Sequence, residues 1–565
     1  MLNMQSKEQE IFASDHILLT VENRLQLWEK NTVCMRLWNM DPTIWKQKPE
    51  ENVELSNRLG WLNLPSLMQD YINELKDFAD EVKKDFNNIV LLGMGGSSLA
   101  PEVFFKTFGK KKGYPALKVL DSTHPLSVRK ILDNFDLKKT LFIVSSKSGG
   151  TTETMSFFYE FYNALMMFGA NPGNHFIAIT DKGSSLEMLA RDKKFRKTFI
   201  TPGEVGGRYS ALTYFGLVPA ALIGADIDSL LKNAEHMEKN SSKNTDISSN
   251  EGFRLGALLG ELNLIKKDKL TFFVSPSISS FPSWIEQLVA ESTGKDGKGI
   301  IPVILEPPGD SEVYGNDRVF IYYRLKNDDN VQYDSIIEKL KNTGFPVVTI
   351  HLDGLYDLGK EIYKWEIATA MAGSVLAINP FDQPNVQLAK TLANESMEEY
   401  KRTGILPLEE PAIIYENISL FGNFTSSDIK KAFNEFVSQA VEGDYFAIQS
   451  FMPYSDDLDK SIVKLKIVLR DKFHLAVTSG YGPRFLHSTG QLHKGDGNKG
   501  LFIQFTSDAV NDLDVLGRGY SFGTLITAQA QGDLKALRNN GRKVISIYLS
   551  GKLKDHIDYL TSLLN

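Results

Sequence analysis

Short apolar runs recur along this chain with helix-period segments between them. The first four are Ile89–Leu92, Leu117–Leu120, Leu141–Val144 and Phe176–Thr180. Four more follow at Leu270–Val274, Ile301–Leu305, Val319–Tyr323 and Val347–His351. A third set comprises Tyr445–Phe451, Phe473–Thr478, Leu501–Phe505 and Val544–Leu549. This alternation is the signature of parallel sheets built from βαβ units, because parallel strands need a long crossover that is usually a helix. The expected fold class is therefore α/β. Residues 1–87 depart from the pattern, since charged and apolar residues alternate there at helical period, as in Leu67–Phe86. The polar stretch Lys239–Gly252 reads as an exposed loop, and the Pro-rich stretch Leu406–Pro411 as a boundary. The expected division is a helical N-terminal segment over 1–87, α/β lobes over 88–238 and 239–405, and a C-terminal α/β domain over 406–565.

Bulk properties exclude several function classes. The 565 residues are too many for one core. The net charge of −7 argues against a nucleic-acid partner, which needs a strongly basic face. The one cysteine, Cys34, can form neither an internal disulfide nor a cysteine-based metal cluster, and its apolar helical surroundings make it a buried thiol. There is no signal-type apolar segment at the start and no run long enough to span a membrane. A cytoplasmic protein without a membrane partner is expected.

Six stretches carry candidate chemistry. The strand Leu141–Val144 runs into Ser145-Ser146-Lys147-Ser148-Gly149-Gly150-Thr151-Thr152-Glu153-Thr154, ahead of a helix expected over Met155–Met167. Hydroxyls, flexible glycines and a helix N-terminus thus converge, which suits a phosphate. Gly93-Met94-Gly95-Gly96-Ser97-Ser98 follows another strand but is neither a dinucleotide fingerprint nor a P-loop. Gly206-Gly207-Arg208-Tyr209-Ser210 offers an arginine able to clamp an oxyanion. Glu291-Ser292-Thr293-Gly294-Lys295 ends an amphipathic helix containing Gln287, and its glutamate suits a general base if partly desolvated. In Phe381–Lys390, Gln383 and Lys390 lie about two helical turns apart. Finally, Gly482–Gly495 holds two of the nine histidines, His487 and His493. Their neighbours at ligand spacing are neither carboxylate-rich nor cysteine, so a hydrogen-bonded or catalytic role is favoured over metal binding.

Each signal alone is weak; in this order they resemble the glucose-6-phosphate isomerase family. The likeness covers roughly residues 30 to 395. It is most similar to the isomerase portion of fused transaldolase/glucose-6-phosphate isomerase proteins, whose tail Gly482–Gly495 also resembles. The resemblance implies two sugar-isomerase-type (SIS) parallel-sheet lobes, with the C-terminal α/β domain and helical N-terminal segment added. The residues before the first loop are too few for a transaldolase barrel of about 250, so isomerase activity without transaldolase activity is expected. The implied reaction interconverts glucose 6-phosphate and fructose 6-phosphate through ring opening and a cis-enediol, in glycolysis and gluconeogenesis. The implied phosphate-binding residues are Ser146, Ser148 and Thr151, with backbone from the same loop, and Lys147 is implied as a further substrate-binding residue. Gly96 and Ser97 would line the sugar, Glu153 would place the sugar or a water, and Gln287 and Gln383 would orient hydroxyls or phosphate. Glu291 would carry the proton between C1 and C2, Arg208 would stabilise the enediolate, and Lys390 would assist at the ring oxygen. No metal or cofactor is implied, the small-molecule partner is a sugar phosphate, and the family is usually homodimeric with sites near the interface.

One departure stands out. The family's ring-opening histidine comes from a Gly-Gln-His segment after the glutamate strand, where this chain reads Tyr314-Gly315-Asn316-Asp317-Arg318. Gln491-Leu492-His493-Lys494-Gly495 resembles the continuation of that missing segment. The expectation is that the third domain delivers the histidine, from elsewhere in the same chain or from a partner subunit, with His487 first, His493 second and Asp317 as an alternative acid. Three rival readings accompany the isomerase. They are a sugar-phosphate sensor without turnover, a relaxed isomerase also using mannose 6-phosphate, and an independent interaction module over 412–565.

Overall fold

The computed structural model describes residues 4–5, 8–48, 54–169, 171–407 and 409–564. Its main sheets are three, each parallel at the centre. In the first, the order is Ala116–Leu120, Asn88–Gly93, Thr140–Ser145, Phe176–Asp181 and Lys197–Thr201. The second runs Ile301–Val303, Lys269–Val274, Arg318–Leu325 and Val347–Leu352. In the third, the order is Ala476–Tyr481, Tyr445–Phe451, Gly500–Ser507 and Lys543–Leu549. The central strands Thr140–Ser145 and Tyr445–Phe451 are buried at every position, which is why they read as predominantly apolar runs, Leu141–Val144 unbroken and Tyr445–Phe451 interrupted by Gln449 and Ser450.

All three sheets wind in the same way. The first strand in sequence has the second on one side and the third on the other. The second and third sheets are alike even at the edge, where an antiparallel strand extends each. For the second sheet it is Gln9–Phe12, paired with Val347–Leu352; for the third it is Ile418–Phe421, paired with Lys543–Leu549. The C-terminal domain therefore repeats the topology of the second lobe. In such sheets ligands bind at the carboxyl ends of the strands, where the winding reverses. In the first sheet that crevice lies between Asn88–Gly93 and Thr140–Ser145, from which the glycine loop and the Ser/Thr loop emerge side by side.

Several expectations need correction. The N-terminal segment is largely helical but also supplies the strand Gln9–Phe12. Lys239–Gly252 is only partly a loop: the helix Ile227–Asn240 runs into it, and the helix Glu251–Leu264 begins within it. Ile247 and Asn250 are buried there, and Asn250 Oδ1 accepts from Phe253 N at 3.0 Å as a cap. The run expected as a strand over Phe473–Thr478 is displaced to Ala476–Tyr481, because the helix Asp456–Phe473 continues until His474 turns left-handed at φ 56°. The second-lobe strand stops at Val303, short of Leu305, whose φ is 51°. Lys197–Thr201 and the hairpin Ile413–Tyr415/Ile418–Phe421 are edge strands that the apolar runs did not reveal.

One apolar core joins the N-terminal helices (Trp28, Leu37, Trp61) to the first sheet (Ile89, Ile143) and the second (Phe272, Ile321). The other face of the first sheet, with Val90, Phe142 and Phe158, continues into Leu525 and Ala528 of the C-terminal helix Phe522–Asn539. Edge residues Ile301 and Val303 of the second sheet pack with Tyr445, Ala447, Ala476 and Phe502 of the third. The C-terminal domain is thus packed against both lobes, by its helix Phe522–Asn539 on the first and by its sheet on the second. Burial of these faces follows the usual gain of about 25 cal/mol per Å² of apolar surface.

Candidate active site

The Ser/Thr loop is held by its own hydroxyls and glycines. Ser146 Oγ lies 3.0 Å from Thr151 Oγ1 and accepts from Gly149 N at 3.1 Å. Gly149 has φ +73°, and an added Cβ would stand 2.3 Å from Leu186 N, so only glycine fits. The helix Thr152–Met167 begins with no side-chain cap from Thr151, which leaves its first N–H groups and the positive dipole end for a ligand. Lys147 is turned aside, with Nζ 2.8 Å from Asp181 Oδ2. The helix in the same place in the C-terminal domain, Phe522–Asn539 after the third strand, is capped instead: Ser521 Oγ accepts from Thr524 N at 3.0 Å.

The glycine loop serves packing. A Cβ on Gly96 would meet Gly207 O at 2.0 Å, so Gly96 lets this loop seat against the turn that carries Arg208. Ser97 O accepts from Ser145 Oγ at 3.2 Å, tying the loop to the strand beside it. Arg208 is buried and spends its fork on several partners. Nε donates to Ser292 Oγ at 2.7 Å, Nη1 to Gln383 Oε1 at 3.1 Å, and Nη2 to Pro380 O at 2.7 Å and Asp382 O at 3.0 Å. Nη1 also stands 3.4 Å from Glu291 Oε1. Lys295 pairs with Asp382 at 2.7 Å. Burial first, then the Arg208 charge, pulls its pKa down to about 8 against the pull of Asp382 and Glu291.

The C-terminal domain completes the arrangement. His487 Nε2 lies 3.0 Å from Glu153 Oε1, and Gln529 Nε2 donates to the same oxygen at 2.7 Å. Burial opposes ionisation of Glu153, but the His487 charge and hydrogen bond, its own backbone N–H and Lys390 together hold its pKa below the ordinary value. The backbone of His487 also counts: its carbonyl accepts from Gln287 Nε2 at 2.8 Å, and that nitrogen lies 3.0 Å from Glu291 Oε2. Ser148, Thr151, Glu153, Lys390, His487, Lys494 and Gln529 line one cavity of about 210 Å³. Arg208, Gln287, Glu291 and Gln383 are not in its lining and join it through the His487 carbonyl. Arg484, three residues before His487, bonds Glu102 and lies 2.8 Å from Asp121 Oδ2, fastening this segment to the first lobe.

The two other acid–base candidates lie elsewhere. His493 is buried against Phe485 and Phe502, with Nδ1 3.2 Å from Gln449 Nε2. Burial, then Lys494 and Arg542, pushes its pKa well below the ordinary imidazole value. Asp317 stands 3.2 Å from Lys269 and lines a separate cavity between the second lobe and the C-terminal domain. Gln529, Arg484 and Lys494 were not singled out from the sequence. Gln529 lies mid-helix with no motif around it, whereas Lys494 sat inside a stretch read for its histidines.

No group of three His, Cys, Asp or Glu side chains among the described residues could hold a metal ion. No helix among them is long and apolar enough to cross a membrane.

Residues 63–301 match the family model for phosphoglucose isomerase. A probable glucose-6-phosphate isomerase of Methanococcus maripaludis is 30% identical over 382 residues, which cover 61% of this chain and 85% of the relative. The chain belongs to the glucose-6-phosphate isomerase family. A glucose-6-phosphate isomerase of Limosilactobacillus reuteri is likewise 30% identical, over 60% of this chain and 88% of its own length. Among solved structures, a hypothetical protein of Thermus thermophilus superposes with a TM-score of 0.60 at 25% identity, over 68% of this chain and 99% of that one. The glucose-6-phosphate isomerase of Chlamydia trachomatis gives 0.61 at 17% identity, over 70% and 90%, and so shares the fold. Arg208, Gln287 and Glu291 fall inside the stretch matched by the family model; Lys390 and His487 lie beyond it.

Proposed function

We propose that this protein reversibly isomerises glucose 6-phosphate and fructose 6-phosphate through ring opening and a cis-enediolate. One observation carries the reading: an unbroken contact path leads from the phosphate-type loop to a base and its cation. It runs Glu153–His487 at 3.0 Å, His487 carbonyl–Gln287 at 2.8 Å, Gln287–Glu291 at 3.0 Å and Glu291–Arg208 at 3.4 Å. Ser146, Ser148, Thr151 and the first N–H groups of the helix hold the phosphate. His487, positioned by Glu153, and Lys390 transfer the protons that open the ring. Glu291 takes the proton from one of C1 and C2 and returns it to the other. Arg208 stabilises the negative charge that develops on the enediolate oxygen in between.

The place of His487 has topological support. In the second lobe, the segment between the second and third strands is the one lacking the family histidine. In the C-terminal domain, the segment in that same slot carries His487. These residues serve isomerisation alone, without transaldolase chemistry.

The test is a coupled assay that supplies fructose 6-phosphate and detects glucose 6-phosphate through its dehydrogenase. Turnover is expected in the wild type and a loss of at least about 10³-fold in Glu291→Gln. Binding of fructose 6-phosphate without turnover in the wild type would sink the enzyme reading and establish a sensor.

A further inference from the structure

The cavity wall supplied by the C-terminal domain holds a cation that the isomerase reading leaves unused. Lys494 lies on the short helix Gly490–Gly495 and lines the cavity together with Ser148, Thr151, Glu153, Lys390 and His487. Its ammonium pairs with Asp533, the two side chains being 1% and 0% exposed. The carbonyl of Gly490 accepts from the same nitrogen at 3.4 Å. An ammonium has three N–H donors. Two are occupied, which leaves a third for the cavity. Asp533 lies one turn beyond Gln529 on the helix Phe522–Asn539, so both residues share a face. One rigid element therefore fixes Lys494 through Asp533 and Glu153 through Gln529.

Desolvating both members of an ion pair often costs more than their attraction returns, and apolar residues of the same volume would pack as well. The pair must therefore be explained by what it presents to the cavity. We propose that Lys494, held by Asp533, is a substrate-binding residue that donates a hydrogen bond to a hydroxyl or ring oxygen of the sugar. A phosphate is the poorer match. The Asp533 charge cancels that of Lys494, and the second carboxylate oxygen of Asp533 is buried without a hydrogen-bond partner, so a dianion here would meet repulsion. A neutral oxygen accepts from the ammonium without that penalty. Lys494 thus recognises the carbon chain and the Ser/Thr loop the phosphate. This inference rests on the sugar-phosphate reading of the cavity.

The test is calorimetric titration of the full chain with fructose 6-phosphate and, separately, with inorganic phosphate. Wild type is compared with Lys494→Met and with the double variant Lys494→Met/Asp533→Leu, which leaves no buried charge unpaired should the single variant fail to fold. The expected result is a Kd for fructose 6-phosphate raised about 10-fold or more, with the Kd for inorganic phosphate unchanged within about 2-fold. Unchanged affinity for fructose 6-phosphate would make the pair purely structural and overturn the inference. Equal weakening of both ligands would overturn it too, as the sign of a collapsed cavity. Failure of the sugar-phosphate reading would show differently, as wild type that binds inorganic phosphate but not fructose 6-phosphate.

Discussion

His487 Nε2 and Glu153 Oε1 meet at 3.0 Å although 334 residues separate them in the chain. The carboxylate comes from the first turn of the helix behind the phosphate-type loop, and the imidazole from a domain that the family model does not reach. His487→Ala is expected to lower kcat on closed-ring fructose 6-phosphate by about 10²-fold or more, with a smaller change in KM. His493→Ala, which empties a core position, is expected to cost stability and leave ring opening near wild type. Steady-state assays beside thermal melts of both variants check this; equal kcat losses would refute the assignment to His487.

Two neighbouring glycines separate geometry from composition in the loop. Gly149→Ala forces a left-handed residue against Leu186 N at 2.3 Å. A loss of about 2–4 kcal/mol is expected, together with weaker phosphate binding. Gly150 is exposed, and its added Cβ would meet only Ser148 Oγ at 3.7 Å. Gly150→Ala is expected to fall within about 0.5 kcal/mol of wild type. Urea midpoints of the two variants decide it.

The same contrast shows what the sequence could reveal. Buried central strands such as Thr140–Ser145 announce themselves because both faces are apolar. The edge strand Lys197–Thr201 is half polar, and its pairing with Phe176–Asp181 depends on a neighbour that local pattern does not name. Motifs located Arg208, Glu291 and His487, but not which side chains meet. Lys147 lies in the midst of the phosphate-type loop, yet its side chain is claimed by Asp181 from the adjacent strand. Gly96 reads as a ligand-lining glycine, and the close approach of Gly207 O that also demands a glycine there is set by a turn far along the chain. Gln529 meets Glu153 across the contact between two domains, which local pattern does not name.

Arg208 tests whether a bare positive charge suffices. Its five donors reach Ser292, Gln383, Pro380, Asp382 and Glu291 at once, which the single ammonium of lysine cannot do. Arg208→Lys is expected to lower kcat by about 10²–10³-fold, the scale for losing a positioned oxyanion donor, and to lower Tm as well. Near-wild-type kcat would show that charge alone is enough.

Lys295 gives a pH dependence with a definite sign. Its pKa is pulled down to about 8 in the folded protein, against about 10.4 in an unfolded chain. Between these values the unfolded state binds more protons, so the fold gains stability as pH rises. At pH 7 both states hold the proton, and the cost of the buried charge is fully present. Relative to Lys295→Met, the wild type is expected to gain about 2–3 kcal/mol between pH 8 and 10.4. Urea midpoints of the pair across that range are the check; parallel curves would place the Lys295 pKa near its unfolded value.

The C-terminal domain lays His487, Gln529 and Lys494 over the first lobe, beside Ser148 and Glu153. A site complete within one copy of the chain is the expectation. Specific activity is expected to stay constant as the protein is diluted from micromolar to nanomolar, whatever its oligomeric state at high concentration. Truncation after Lys401 is expected to abolish activity, since it removes His487 and uncovers the apolar surfaces that Leu525, Tyr445 and Phe502 now cover. Activity falling with dilution in step with dissociation, measured by light scattering on the same samples, would show that a partner chain contributes to the site.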